Sequence, residues 1–275
     1  MTAASDPPDE IEASRAPLLD HLTELRNRLG VAVLALVVAF VACFPFAQKI
    51  FLFLVEPFKH AIEQAHGPEA VKDGVKMVFT HAFGQFFVNM KVALFAAIII
   101  AFPVIAYQAY AFVAPGLYKS ERRAAAPFLV AAPVMFLVGA AFVFFIAMPF
   151  ALRFALQQEV NTGGVQISYL PKVDEYLGLV TTLVLAFGFV FQIPVVLSLL
   201  ASSGVLGAST LRKGRRYAIV GIAAFSALVT PPDPFSMMMM AVPVYCLYEA
   251  SIWIVWFIEK TRAKAEAAPS SAPAP

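Results

Sequence analysis

The feature that constrains this chain most is a series of long stretches without a single charged residue. Four of them contain 20, 27, 29 and 36 residues, at 29–48, 92–118, 124–152 and 176–211. A helix needs roughly 20 apolar residues to cross the hydrocarbon layer of a bilayer, which is about 30 Å thick. Each stretch is therefore predicted to contain a membrane-spanning helix.

Two shorter apolar segments follow near the end of the chain. Residues 217–232 and 234–248 are uncharged over 16 and 15 positions, and Asp233 stands between them in a Thr-Pro-Pro-Asp-Pro hinge. At about 1.5 Å per residue, the fifth segment, ending near residue 230, covers only about 21 Å. These residues predict a helical hairpin that is too short to span the bilayer comfortably.

The composition agrees with a membrane protein and excludes an ordinary water-soluble domain. Hydrophobic residues make up 60% of the chain and charged residues 14%, and the mean hydropathy is +0.78. We predict an all-α polytopic membrane protein with six transmembrane helices, the last two short, in a concave, glove-like bundle. The predicted spans are about 29–48, 88–114, 124–152, 176–201, 217–230 and 235–258.

The distribution of lysine and arginine predicts the orientation of the spans. The two ends of the chain and the loops 115–123 and 204–216 carry 13 of these residues in 67 positions, whereas the segments on the other side carry 7 in 71. Cytoplasmic loops are enriched in lysine and arginine. Both termini are therefore predicted to be cytoplasmic.

Loops and tails complete the predicted organisation. The outside loops 49–91 and 153–175 are long and mixed in charge, and they contain apolar and amphipathic pieces, such as 50–58, that could form interfacial helices, so they are predicted to make a periplasmic cap. Residues 1–16 and 261–275 are rich in alanine, proline and serine, which predicts disordered tails on either side of a membrane domain at 17–260.

The sequence lacks the motifs of several chemical functions. No nucleophile and base, no paired carboxylates and no metal-ligand spacing lie within an apolar run, and no glycine-rich phosphate loop is present. We therefore expect no enzyme activity, no cofactor and no metal site. The net charge of +2 gives no indication of nucleic-acid binding.

The candidate functional residues lie at the predicted cytoplasmic surface. An amphipathic helix before the first span carries His21, Glu24 and Arg28 on one stripe, and a simple i, i+4 ion pair with Arg28 would explain Glu24. After the second span, Ser120 is placed to cap the next helix. Glu121 would then lie in the first turn, where the helix dipole favours an anion.

Four separated segments carry a more specific pattern. They are LDHLTELRNRL at 19–29, YQAYAFVAPGLYKSERR at 107–123, FGFVFQIP at 187–194 and LVTPPDPFS at 228–236. Together, in this order and over residues 17–260, they resemble the TatC family. TatC is the six-helix receptor subunit of the twin-arginine protein translocase.

The resemblance implies a binding site for the paired arginines of a signal peptide. The glutamates of the family's HL-x-ELR and YK-x-ER motifs fall on Glu24 and Glu121. Arg26 in the first motif and Phe112, an aromatic residue near the second, are grouped with the same site. A guanidinium is always ionised and its forked donors match a carboxylate, so two carboxylates can select two arginines against lysines.

The resemblance also groups four positions with partner contacts or translocation: Gln192, Thr230, Asp233 and Pro57. Taken alone, Pro57 is explained by a loop turn and Asp233 by capping of the sixth helix. Family members often have glutamate where this chain has Gln192. The amide can form hydrogen bonds there, but it cannot supply an ionised carboxylate.

The implied function is that of a receptor and core subunit for export of folded proteins across the bacterial inner membrane, driven by the proton-motive force. Its implied partners are twin-arginine signal peptides, TatB-like and TatA-like single-span subunits, membrane lipids and further copies of the chain. The alternative is a small-molecule secondary transporter. It predicts a charged or broken-helix site at mid-membrane, where the chain offers only Gln192 and prolines.

Overall fold

The computed structural model describes the backbone of residues 10–72, 74, 76–113, 119–157, 160–162, 165–167, 171–230 and 234–267. Side chains are described over 22–72, 74, 76–112, 127–157, 171–230, 234 and 236–262. The α-helices in these parts are α1 Glu10–Cys43, α2 Ala47–His66, α3 Glu69–Lys72, α4 Gly84–Val113, α5 Lys119–Phe142, α6 Met148–Leu156, α7 Val173–Val190, α8 Ile193–Ser202, α9 Ala208–Val229 and α10 Pro234–Ala267.

Non-α elements are few among the described residues. A 3₁₀ turn at Phe44–Phe46 joins α1 to α2, and a π-helical turn at Val143–Ala147 joins α5 to α6. The strands β1 (Val160–Thr162) and β2 (Val165–Ile167) form a short antiparallel hairpin. The predicted all-α fold class is confirmed, with this hairpin as a small addition in the loop 153–175, which is predicted to lie outside.

Five helical stretches are long and apolar enough to cross a membrane, counting only the described residues. They are Leu22–His66, Gly84–Phe112, Pro127–Leu156, Val173–Ser202 and Ser236–Arg262. Helix α9 is not among them, because basic residues fill part of its first half and the apolar part, 217–229, measures only about 20 Å. The count of six spans stays a prediction.

The helices extend further than composition suggested. Helix α1 begins at Glu10 and α10 runs to Ala267, so both enter the segments 1–16 and 261–275 that were expected to be disordered. Alanine, glutamate, lysine and arginine are strong helix formers, and they dominate both extensions. The predicted cytoplasmic loop 204–216 is likewise helical from residue 208 onward.

Helices α1 and α4 pack antiparallel through small side chains. Cys43 and Ala47 lie in a buried cluster with Ala93 and Ala96, and one turn away Ala39 clusters with Ala97 and Ala101. Positions 39, 43 and 47 on one side of the seam and 93, 97 and 101 on the other are small residues at a spacing of four, with position 47 the first of α2. This spacing lets two membrane helices approach closely and gain van der Waals contact. This seam attaches α1 to the helical bundle through α4.

Helices α5 and α7 cross where glycine replaces a side chain. A Cβ atom on Gly188 would lie 2.6 Å from Cε2 of Phe136, and one on Gly139 would lie 2.7 Å from the carbonyl oxygen of Phe187. Phe136 itself stacks on Phe102 of α4, with ring centroids 4.0 Å apart. The main core therefore depends on glycine at the crossing and aromatic rings around it.

Helices α9 and α10 form a pair that packs on α8. Their shared cluster contains Ala201, Leu211, Ile252 and Val255. The backbone N–H of Ala208, in the first turn of α9, donates to Oε1 of Glu259 on α10 at 3.0 Å. Glu259 thus caps the N-terminal end of α9, because Gly207 at the N-cap position has no side chain that could do so.

The α5–α7 crossing gives a test of the packing. Gly188→Ala should lower the free energy of unfolding by about 1–3 kcal/mol, because the new methyl group collides with the buried Phe136 ring. Gly178→Ala on the same helix is the matched control, since nothing lies within 4 Å of its Cβ position. Thermal unfolding of the purified variants measures both. Equal stability of the two variants would contradict the crossing.

Candidate functional site

The topology brings the start of α1 and the end of α4 to the same end of the fold. Ala39 and Ala97 share a buried cluster, Glu24 lies 15 residues before the first, and Phe112 lies 15 residues after the second. At about 1.5 Å per residue, both are about 22 Å from that contact along antiparallel helices. Helix α5 begins close in sequence, so Glu121 in its first turn belongs to the same end.

Glu24 is held by an intrahelical ion pair. Arg28 donates from Nε and Nη2 to Oε1 of Glu24, at 2.8 and 2.6 Å. The side chains of Arg28 and Glu24 are 27% and 31% exposed. The expected i, i+4 ion pair is confirmed. Arg28 contacts Oε1 of the Glu24 carboxylate, and solvent still reaches part of both side chains.

The other predicted members of this site are placed less fully. Arg26 is exposed on α1, and Phe112 is half-buried near the end of α4. Glu121 lies in the helical backbone of α5, but its side chain is outside the described residues. Helix α5 begins at Lys119, so Ser120 is inside the first turn and does not precede the helix.

Gln192 lies at a break in the fourth predicted span. Helix α7 ends at Val190 and α8 begins at Ile193, followed by Pro194, which has no N–H to continue the helical ladder. The Gln192 amide donates from Nε2 to the carbonyl oxygens of Ala132 on α5, at 3.0 Å, and of Gly188, at 3.3 Å. Within the described residues, its Oε1 accepts no hydrogen bond.

Thr230 ends α9 and is buried. Its Oγ1 and its backbone N–H both donate to the carbonyl oxygen of Ser226, at 2.8 and 3.0 Å. These bonds satisfy a carbonyl group that the helix end leaves without an intrahelical partner. Asp233 of the same hinge lies outside the described residues, so its predicted capping role stays a prediction.

Pro57 is inside a helix, so the loop turn suggested by its surroundings is wrong. It is buried in α2, which continues the first span with only a 3₁₀ turn between. Proline inside a helix removes one backbone N–H donor and so weakens the hydrogen bonding of that turn.

Tyr176 attaches α7 to α2 near Pro57. Its hydroxyl donates to the carbonyl oxygen of Leu54 at 2.8 Å, and its ring lies 5.4 Å from that of Phe58.

One polar cluster was not among the residues expected to be functional. Arg215 of α9 donates from Nη2 to Oε2 of Glu249 on α10 at 2.6 Å, and the Tyr245 hydroxyl donates to Oε1 at 2.9 Å. The hydrogen bond to Glu249 raises the pKa of Arg215. A single carboxylate in the apolar run of α10 was the sequence signal, because ionisable residues in membrane helices are costly unless paired.

Comparison with known proteins identifies the family. The model of the family described as Sec-independent protein translocase protein (TatC) matches residues 20–243. The chain belongs to the TatC family. This TatC chain is 41% identical to the TatC protein of Magnetococcus marinus over 254 residues, covering 92% of the chain and 89% of that protein. It is 37% identical to TatC of Escherichia coli, covering 88% of each.

A solved structure supports the same assignment. The crystal structure of the twin arginine translocase receptor TatC aligns with a TM-score of 0.72 and 35% identity, covering 87% of this chain and 99% of that one. The expected family is therefore confirmed, and the chain is a membrane protein of Sec-independent protein transport. TatC proteins are translocase components and not enzymes.

Tyr176 provides a test of how α2 is attached in this TatC chain. Tyr176→Phe should lower the free energy of unfolding by about 1 kcal/mol, because it removes the buried hydrogen bond to Leu54 and keeps the ring. The control is Tyr217→Phe, since that side chain is 68% exposed. Chemical unfolding in detergent measures the difference. An unchanged midpoint for Tyr176→Phe would show that the bond does not stabilise the attachment.

Proposed function

We propose that this TatC chain is the receptor and core subunit of a twin-arginine translocase. In this proposal the paired arginines of a signal peptide bind Glu24 and Glu121. The observation that carries it is the antiparallel packing of α1 and α4, which brings Glu24, Phe112 and the first turn of α5 to one end of the fold.

The Glu24–Arg28 pair suits an exchange of partners. An i, i+4 ion pair on a helix surface is worth only about 0.3–0.5 kcal/mol. A charged hydrogen bond in a partly desolvated site contributes about 1.5–3 kcal/mol. A signal arginine can therefore displace Arg28 at little cost, provided that the bound peptide excludes water from the carboxylate.

The proposed site lies on the cytoplasmic side. The lysine and arginine distribution places the loops 115–123 and 204–216 and both chain ends there. A folded cargo approaching from the cytoplasm would then present its signal arginines before the apolar part of the signal enters the membrane. In this scheme the proton-motive force drives export, and the chain itself hydrolyses no nucleotide.

Partner subunits would use the membrane-embedded surface. The free acceptor of Gln192 at the α7–α8 break can receive a hydrogen bond from a polar side chain of a single-span helix. Helix α9 has only three buried residues, Ala208, Leu211 and Ser226, which leaves much of it open to lipid or to another helix. We assign these surfaces to TatB-like and TatA-like partners or to further copies of the chain. Thr230, Asp233 and Pro57 would hold the adjoining elements in place.

The alternative of a small-molecule transporter rests on the break at residues 191–192. A discontinuous helix at mid-span is typical of transporter binding sites. Here, however, the amide donors at the break bond to the chain's own carbonyl groups. The break therefore supports helix packing more directly than it supports a substrate site.

Glu24→Gln tests the proposed recognition. The substitution keeps the shape and removes the charge, so it should weaken binding of a twin-arginine signal peptide roughly tenfold or more. The twin-lysine form of the peptide should bind more weakly to the unchanged chain, and its binding should change little on substitution. Glu56→Gln is the control, because Glu56 also forms an intrahelical ion pair, with Lys59 on α2, at a more exposed position. Peptide affinity in membranes with equal protein levels is the measurement.

Arg28→Gln is a second test of the proposed recognition by Glu24. It removes the ion pair between Arg28 and Glu24, so the affinity for the twin-arginine peptide should stay equal or rise. Unchanged affinity in Glu24→Gln, or the same loss in Glu24→Gln and Glu56→Gln, would contradict the assignment.

A further inference from the structure

Two cavities at the end of the fold away from Glu24 meet at one lysine. The first is a cavity of about 290 Å³ between the loop before α4, the start of α4 and the start of α7. Its polar lining residues are Thr80, His81, Lys91 and Asp174. The second is an apolar groove of about 340 Å³ between α1 and α4, which also reaches Lys91.

The walls of the first cavity are fixed by backbone contacts. The N–H of Val173 donates to the carbonyl oxygen of Val78 at 3.1 Å, which ties the loop to the start of α7. At the start of α4, a Cβ on Gly84 would lie 2.8 Å from Cδ1 of Phe79, so the loop packs directly on the helix backbone. The cavity is therefore a built feature of the fold.

The order of the two cavities along α4 matches the order of a phospholipid. The polar cavity begins at Gly84, the first residue of α4, whereas the groove extends to Leu94, about 15 Å deeper along the helix. Lys91 lies between them. The rest of the groove is lined by apolar side chains: Leu36, Val37, Phe40 and Met90.

The polar cavity contains one basic and one acidic side chain that form no ion pair with another residue of the described chain. Lys172 forms an ion pair with Glu175 at 2.7 Å, and the Asp174 carboxylate attracts the same ammonium without a direct contact. Within the part of the chain that the structure describes, neither Lys91 nor Asp174 forms an ion pair or a side-chain hydrogen bond. A position in the first turn of α7 favours the Asp174 carboxylate, and a flexible lysine can extend toward water. Neither effect explains why the two line one cavity together.

We propose that these two cavities bind one aminophospholipid, with a phosphate and a primary ammonium in its headgroup. Lys91 and His81 donate hydrogen bonds to the phosphate, and Asp174 accepts from the ammonium. One acyl chain lies in the groove between α1 and α4. The site would fill the gap between α1, α4 and α7 with lipid on the leaflet opposite Glu24, and it does not depend on the proposed recognition of signal peptides.

Headgroup chemistry distinguishes this ligand from other lipids and from a free anion. A choline headgroup has the same charges but no N–H donor for Asp174. A glycerol headgroup has no cation, so the carboxylate would face the anionic lipid without compensation. Inorganic phosphate has neither the ammonium nor a chain for the groove.

The experiment compares lipids with identical acyl chains on the delipidated full-length chain in detergent. Native mass spectrometry measures retention of dioleoyl-phosphatidylethanolamine, -phosphatidylcholine and -phosphatidylglycerol. The ethanolamine lipid should be retained about threefold or more over the other two. Asp174→Asn should remove the preference over choline, and Asp174→Glu should keep it. Lys91→Gln should weaken retention of both ethanolamine and choline lipids.

The controls separate the site from general lipid adhesion and from misfolding. Lys49→Gln changes a lysine near the start of α2 that lines neither cavity, so retention should not change. Leu94→Trp fills the groove and should weaken all three lipids while leaving their order unchanged. Equal retention of the glycerol and ethanolamine lipids, or an unchanged preference in Asp174→Asn, would overturn the proposal. The outcome is independent of Glu24, so it can fail without affecting the proposed function.

Discussion

The hydrocarbon of the membrane is the constraint on which the rest of this structure depends. In that medium every polar group needs an internal partner or a position near the aqueous surface. The Gln192 amide N–H group meets the requirement by donating to two carbonyl groups at a helix break, while its Oε1 accepts no bond among the described residues. Glu249 meets the requirement through Arg215 and Tyr245. Glu24 lies at the end of the fold, where a charge can remain partly hydrated and accept a new partner.

The same constraint explains why small residues stabilise the bundle. Lipid tails are as apolar as leucine, so helices in a membrane gain little from hydrophobic burial and associate through close packing. The alanine seam of α1 and α4 and the glycine crossing of α5 and α7 provide that packing. The seam matters for the proposed function because it determines which end of α4 lies at the same end of the fold as Glu24.

Local features were predictable from the sequence, whereas long-range ones were not. Uncharged stretches located the main spans, and i, i+4 spacing identified the Glu24–Arg28 pair. The loop turn suggested for Pro57 was wrong, although the piece 50–58 that contains it was expected to be able to form a helix. One face of α2 is apolar and packs on the core. The bond from Tyr176 to Leu54 joins residues 122 positions apart, and no spacing rule predicts such a contact. The family resemblance supplied the proposed roles of Glu24 and Glu121, which their helical surroundings alone did not.

The separation of positions 24 and 121 tests the central claim most directly. Spin labels can be placed at both positions in a chain with Cys43→Ala and Cys246→Ala, and pulsed electron resonance then gives their distance in liposomes. The account predicts roughly 20 Å or less between backbones, which two neighbouring arginines about 3.8 Å apart at their Cα atoms can bridge. Positions 24 and 49, separated along α1 and the start of α2 by about 37 Å, provide an internal reference. A distance for 24–121 as long as that reference would contradict a shared carboxylate site.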